Sequence, residues 1–186
     1  EYEILRIQPG TNDYILFHLQ NLNGYDPLMP RDAVELTEVN YGLEEKLMDM
    51  LAVRYILLSE TTTIDTTGYR EITRQSGTIV YERPHPQTRA FVVHRLQVAA
   101  HSEALARLTD PAFDPRVTAL VEAQPGCAPA ESPGKDNVTL LRDDLNRVTF
   151  QVHAASDGFL VMSDTFYPGW RAQVDRVPAP VVRANF

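Results

Sequence analysis

Apolar residues in this chain gather in short bursts that alternate with polar positions, and one stretch instead carries a helical period. "EYEILRIQ" (1–8) and "DYILFHLQ" (13–20) have the composition and length of strands, with the turn-forming "PGTND" between them. In "NLNGYDPLMPRDAVEL" (21–36), Asn-Gly and Asp-Pro mark irregular backbone, and Pro30 suits the first turn of a short helix. From Leu43 onward, Leu43, Leu47, Met50 and Leu51 fall at i, i+4, i+7 and i+8, while Glu44, Glu45, Lys46 and Asp49 take the other face. That spacing predicts an amphipathic helix. It runs into "VRYILL" (53–58), which reads as a buried strand. "GYREITR" and "GTIVYER" around "QSG" read as a hairpin. "RAFVVHRLQVA" (89–99) reads as one strand, and Ser102 is placed to cap a short helix through Leu108. "DPAFDPRVTALVEA" (110–123) fits either a turn of helix or a strand.

The pattern changes after "QPGCAPAESPGKD" (124–136), a linker dense in proline, glycine and small residues. Beyond it lie "NVTLLRD" and then "RVTFQVHAA", where Val148, Phe150, Val152 and Ala154 alternate with Thr149, Gln151 and His153. A period of two gives one buried and one wetter face. "SDG" turns the chain into "FLVMSD", followed by "WRAQVD" and "PVVRAN". The expected fold is therefore α+β. A mixed α/β part (1–123) is followed by the linker (124–136) and an antiparallel β-sandwich-like part (137–186) that is truncated at its C-terminus.

Composition narrows the function classes. With 186 residues there is enough chain for a real core, and a net charge of −8 repels phosphate backbones, so nucleic acid is not an expected partner. One cysteine, Cys127, allows neither an internal disulfide nor a thiolate metal site. No apolar run is long enough to span a bilayer. The chain opens without methionine and stops in a strand-like pattern, so it reads as a piece of something longer.

The search for catalytic chemistry is largely empty. There is no G-x-S-x-G elbow, P-loop or G-x-G-x-x-G, and the histidines His18, His85, His94, His101 and His153 are scattered without metal-ligand spacing. No catalytic residue, metal or cofactor is expected. Asp164 and Asp175 flank an aromatic stretch, but a glycosidase needs two carboxylates at a set separation, which spacing alone does not supply. Two segments do combine aromatics with acids and amides: "NLNGYDPL" (21–28) and "SDTFYPGWRAQVD" (163–175). Rings stack on sugar C–H faces while acids and amides bond hydroxyls, so Tyr25, Asp26, Asp164, Tyr167 and Trp170 are the candidate binding residues. The competing reading is that Phe166, Tyr167 and Trp170 anchor a loop to the core, with Pro168-Gly169 making the turn.

"NGYDPLMPRDAVEL", "LMDMLAVRYILL", "VYERPHPQTRAFVVHRLQV" and "GFLVMSDTFYPGWRAQVD" occur in that order. Together they resemble the extracytoplasmic C-terminal region of bacterial YfhO-type multi-spanning membrane proteins, themselves similar to GT-C glycosyltransferases that use lipid-phosphate-linked sugars. The family often has glycine after the aspartate of "YPGWRAQVD", where this chain has Arg176. The resemblance implies a non-catalytic accessory domain on the extracytoplasmic face of the bacterial membrane. Its partners would be the membrane-embedded part of the same polypeptide and an envelope glycan or lipid-linked sugar. A free-standing carbohydrate-binding module and a purely structural interaction domain are the alternatives.

Overall fold

A computed structural model describes residues 31–39, 44–126, 130 and 135–186. The fold is α+β, as the alternation of short apolar bursts implies, with a few short helices and many mostly antiparallel strands. The chain divides into two compact units: Glu1–Gly42 with Tyr55–Pro84, and Leu43–Arg54 with His85–Phe186. The strands expected at 1–8 and 13–20 lie outside the described residues.

In the first unit, helix α1 (Arg31–Val39) begins where Pro30 suggested, and an Arg31–Glu35 ion pair of 2.5 Å spans one turn on its surface. Strands β1 (Tyr55–Ser59), β2 (Arg70–Gln75) and β3 (Thr78–Glu82) form an antiparallel sheet in the order β1-β3-β2. The "QSG" hairpin closes through Ser76 and Gly77 at φ 53° and 79°. Two successive positive values make the turn whose twist matches that of the strands. Contrary to the expectation for "VRYILL", only Ile56 of β1 is buried, whereas Tyr55 and Leu57 are exposed. Among the described residues β3 is the strand paired with β1, and because successive side chains face opposite sides, Ile56 is buried while its neighbours Tyr55 and Leu57 are exposed. Tyr69 and Tyr81 meet edge to face at 6.5 Å, and Arg70 pairs with Glu82 directly across the ladder.

The second unit opens with α2 (Glu45–Met50), shorter than the apolar spacing suggested. It ends where Ala52 enters the left-handed region at φ 54°, with Val53 N–H bonded to Met48 O and Ala52 N–H to Asp49 O. This is the six-to-one and five-to-two bond pair that closes many helices. Asp49, placed by spacing on the polar face, is buried. Arg116 binds its carboxylate through Nε at 2.7 Å and Nη2 at 2.5 Å. Only the first turn of the helix meets solvent, at Glu45, and the ion pair makes the burial of Asp49 tolerable.

"RAFVVHRLQVA" is not one strand. It divides at His94 into β4 (Ala90–Val93) and β5 (Arg95–Val98), which have different partners. Helix α3 (His101–Thr109) then crosses to β6 (Thr118–Val121), which runs parallel to β5, so the ambiguous 110–123 segment resolves into turns followed by a strand. Ala100, not Ser102, occupies the N-cap of α3 and gives no side-chain cap bond, so Ser102 falls within the first turn. Strands β7 (Asn137–Asp144) and β8 (Arg147–His153) form a hairpin, and β9 (Phe159–Met162) returns to pair antiparallel with β4. Strands β10 (Ala172–Val174) and β11 (Val177–Ala179) form a last hairpin. Among the described residues these strands pair two by two, rather than in the broader sheets that a sandwich stacks.

Phe91, Val93, Ala119 and Val161 form the buried centre of this unit, joined by Leu96, Phe159 and Ala184. Strands from before and after residues 124–136 thus share one core. The strand expected at "PVVRAN" is reduced to a single bridge, Val121 to Ala184. Buried Asn185 extends it, donating its N–H to Leu120 O and accepting Leu120 N–H on Oδ1, each at 2.9 Å.

Candidate functional site

The β4–β9 ladder brings Arg89 beside the aromatic segment, because Ala90 pairs with Met162 and Ser163 N–H bonds Arg89 O at 2.8 Å. The Arg89 guanidinium then bridges two carboxylates, Asp143 at 2.5 Å through Nη1 and Asp164 at 2.7 Å through Nη2. Asp164 also accepts the Thr165 N–H at 2.8 Å. Its oxygens therefore fix the start of the aromatic turn. Ser163 Oγ donates to Met50 O, which ties the same point to the end of α2.

The segment turns where Pro168-Gly169 predicted, with Trp170 N–H bonded to Tyr167 O at 3.0 Å. The sequence left glycine free to adopt positive φ, but Gly169 stays outside the left-handed region. Its use is steric. A Cβ built on Gly169 would lie 2.5 Å from Cε1 of Tyr167, so the phenol ring lies directly over a residue without a side chain.

The three rings have different environments. Trp170 is half-buried and its Nε1–H donates to Thr165 O at 3.2 Å, closing the loop on itself. Phe166 is half-buried, and the Arg183 guanidinium lies 5.4 Å from its ring centroid. Tyr167 remains 67% exposed. The site is thus a braced turn that displays one phenol, with an arginine-held carboxylate at its base. Of the sequence candidates, Asp164, Tyr167 and Trp170 belong to this turn, whereas Tyr25 and Asp26 lie outside the described residues. Asp175 is on the β10–β11 turn, at φ 51°, and Asp164 is engaged by Arg89. Nothing in that arrangement sets up two carboxylates across a glycosidic bond.

Sequence reasoning missed a second polar cluster. His94 Nε2 lies 2.9 Å from Asp136 Oδ2, and Nδ1 lies 3.0 Å from Asp157 O and 3.3 Å from Ser156 Oγ. Serine, histidine and aspartate in contact suggest an activated nucleophile, but the hydrogen bonds run the wrong way. Ser156 donates to Ala130 O at 2.9 Å, and the ring nitrogen nearest it faces a carbonyl that can only accept. Histidine spacing held no signal for this cluster, because its acid lies 42 residues away. The other described histidines also lack metal partners: His101 stacks on Phe186 at 4.8 Å, and His85 and His153 are exposed. Among the described residues no group of three potential ligands could hold a metal ion, and no helix is long and apolar enough to cross a membrane.

Comparison of the chain with protein-family models, with curated proteins and with solved structures finds no match.

Proposed function

We propose that this chain is a non-catalytic accessory domain that contacts a glycan through the 163–170 turn. The observation that carries this reading is the Tyr167 ring, 67% exposed and held over Gly169 by a turn that Asp164, Arg89 and Trp170 brace. A rigid aromatic displayed beside polar groups suits a sugar, because little side-chain entropy remains to be lost on stacking. The wider setting rests on the sequence resemblance. In it, the domain sits on the extracytoplasmic face of a YfhO-like, glycosyltransferase-like membrane protein, against the membrane-embedded part of its own polypeptide. The glycan is then an envelope acceptor or a lipid-linked sugar.

Titration with a panel of envelope-type oligosaccharides, followed by Trp170 fluorescence and Tyr167 ring shifts, tests the contact. Tyr167→Ala is expected to weaken binding about tenfold or more, which corresponds to at least ~1.4 kcal/mol. Unchanged Tyr167 and Trp170 signals across the panel would refute it. A full reading frame without membrane spans beside this region overturns the wider setting and leaves the glycan contact to stand or fall on the titration. The structural-interaction reading has its own support in Val174 and Val177, 64% and 65% exposed on the β10–β11 hairpin. It predicts that substituting those valines, and not Tyr167, disturbs assembly.

A further inference from the structure

His94 sits where the strand pattern breaks between β4 and β5, with its side chain 15% exposed. Both ring nitrogens face acceptors, the Asp136 carboxylate at 2.9 Å and the Asp157 carbonyl at 3.0 Å, while the Ser156 hydroxyl, 3.3 Å from Nδ1, gives its proton to Ala130 O. Such a pair is satisfied only when both nitrogens carry protons, so the charged ring is the form that fits. The same atoms hold three distant parts of the chain together. Asp136 Oδ1 accepts the Ala155 N–H at 2.9 Å, and Asp157 O also accepts the Ala130 N–H at 2.9 Å. Gly158 lets the turn press on the ring, since a Cβ there would lie 2.9 Å from His94 Cε1.

We propose that His94 is a pH-sensitive clip, fastening Ala130 and Asp136 to the turn between β8 and β9 while its ring is charged and loosening them when the ring is neutral. The neutral imidazole has one N–H and must turn a lone pair toward either the carboxylate or the carbonyl. The groups facing the ring are the Asp136 carboxylate, the Ser156 hydroxyl and the Asp157 carbonyl. The other charges nearby in the chain are the Asp157 carboxylate on the turn, Arg95 next to His94 and Lys135 next to Asp136.

The Asp136 hydrogen bond first, and the Asp157 carbonyl second, raise the His94 pKa above the ordinary 6.5. For Asp136, burial pushes the pKa upward, but the Ala155 N–H and His94 outweigh it and hold the group below 3.8. The histidine's contribution is therefore complete below pH 6.5 and lost as pH rises through its own raised pKa. The aspartate's contribution is present above pH 3.8 and lost as pH falls through its lowered pKa. The clip is closed between those limits.

NMR titration of the His94 ring in the wild-type protein, with amide exchange of Ala130 and Ala155 over the same range, tests this. The expected midpoint lies above 6.5. Between about pH 5.5 and about pH 8.5, protection of both amides should fall about threefold or more, in step with the ring. The Asn185 amide, bonded to Leu120 O, should hold its protection and serves as the internal reference. His94→Gln, which cannot charge, should remove the pH dependence and leave both amides at their high-pH protection. A wild-type midpoint at or below 6.5 overturns the proposal, as does constant protection through the titration, whether or not the variant folds.

Discussion

Replacing Arg176 with glycine should stabilise the last hairpin. Val174 pairs with Val177, so the turn has two residues, and both Asp175 (φ 51°) and Arg176 (φ 70°) lie in the left-handed region. Aspartate tolerates that conformation through local hydrogen bonding, but arginine lacks this advantage and its cost is about 1–2 kcal/mol. Glycine removes the cost and returns about 0.5–1 kcal/mol through its freer unfolded chain. The expected net gain is about 0.5–1 kcal/mol. For a chain of this size a gain of 1 kcal/mol raises the melting temperature by about 2–4 °C, if the hairpin unfolds with its unit. Removing a positive charge from a chain of net charge −8 acts the other way, by a few tenths of a kcal/mol at an exposed site. Arg176→Ala isolates that term, since it loses the charge and keeps a Cβ in the left-handed region. Native-state exchange of the Val174 and Val177 amides reads the hairpin locally and should slow up to about fivefold in Arg176→Gly relative to Arg176→Ala. Equal exchange in the two variants would mean that the positive φ carries no strain, and the reasoning fails.

Two further substitutions probe the packing of the second unit. Arg116→Leu leaves the buried Asp49 carboxylate without its guanidinium. The expected loss is about 2–3 kcal/mol in urea unfolding, below the figure for a fully buried pair because the Arg116 side chain is 47% exposed. A loss under about 1 kcal/mol would show that Asp49 does not depend on Arg116. Gly158→Ala sets a Cβ 2.7 Å from Val92 Cγ1 and 2.9 Å from His94 Cε1, so it should cost about 1–3 kcal/mol and move the His94 ring resonances. Unmoved resonances would show that the turn does not press on the ring.

What the sequence revealed follows from the range of each signal. The α+β class, the "QSG" hairpin and the turn at Pro168-Gly169 depend on residues within a few positions of one another, and composition carries them. "VRYILL" misled because apolar content does not say which faces of a strand are covered, and of Tyr55, Ile56 and Leu57 only Ile56 is buried. The break at His94 escaped because "RAFVVHRLQVA" has strand-like composition on both sides of it, while its halves pair with β9 and β6 far along the chain. Asp49 looked solvated because helical spacing describes only its own helix, and Arg116 comes from elsewhere. Charged partners distant in sequence leave no period to read. For that reason Arg89, Asp143 and the His94 cluster were all missed.

The aromatic turn shows how such distant contacts change the meaning of a local motif. As a sequence, three rings around Pro168-Gly169 pose a single choice between a plug and a platform. The structure gives the three rings different surroundings. Trp170 and Phe166 spend their surface on holding the loop, one through its indole N–H and the other beneath Arg183. Asp164, which in isolation looks like a sugar ligand, is held by Arg89 and braces the turn from below. That bracing leaves Tyr167 displayed, and the missing Cβ of Gly169 is what allows its ring to come this close. A ligand contact at this turn should therefore depend most on Tyr167, with Trp170 and Asp164 acting through the position they give it. Tyr167→Ala should then weaken the contact about tenfold or more while leaving the fold intact, whereas Trp170→Ala should weaken both together. The two variants separate display from support.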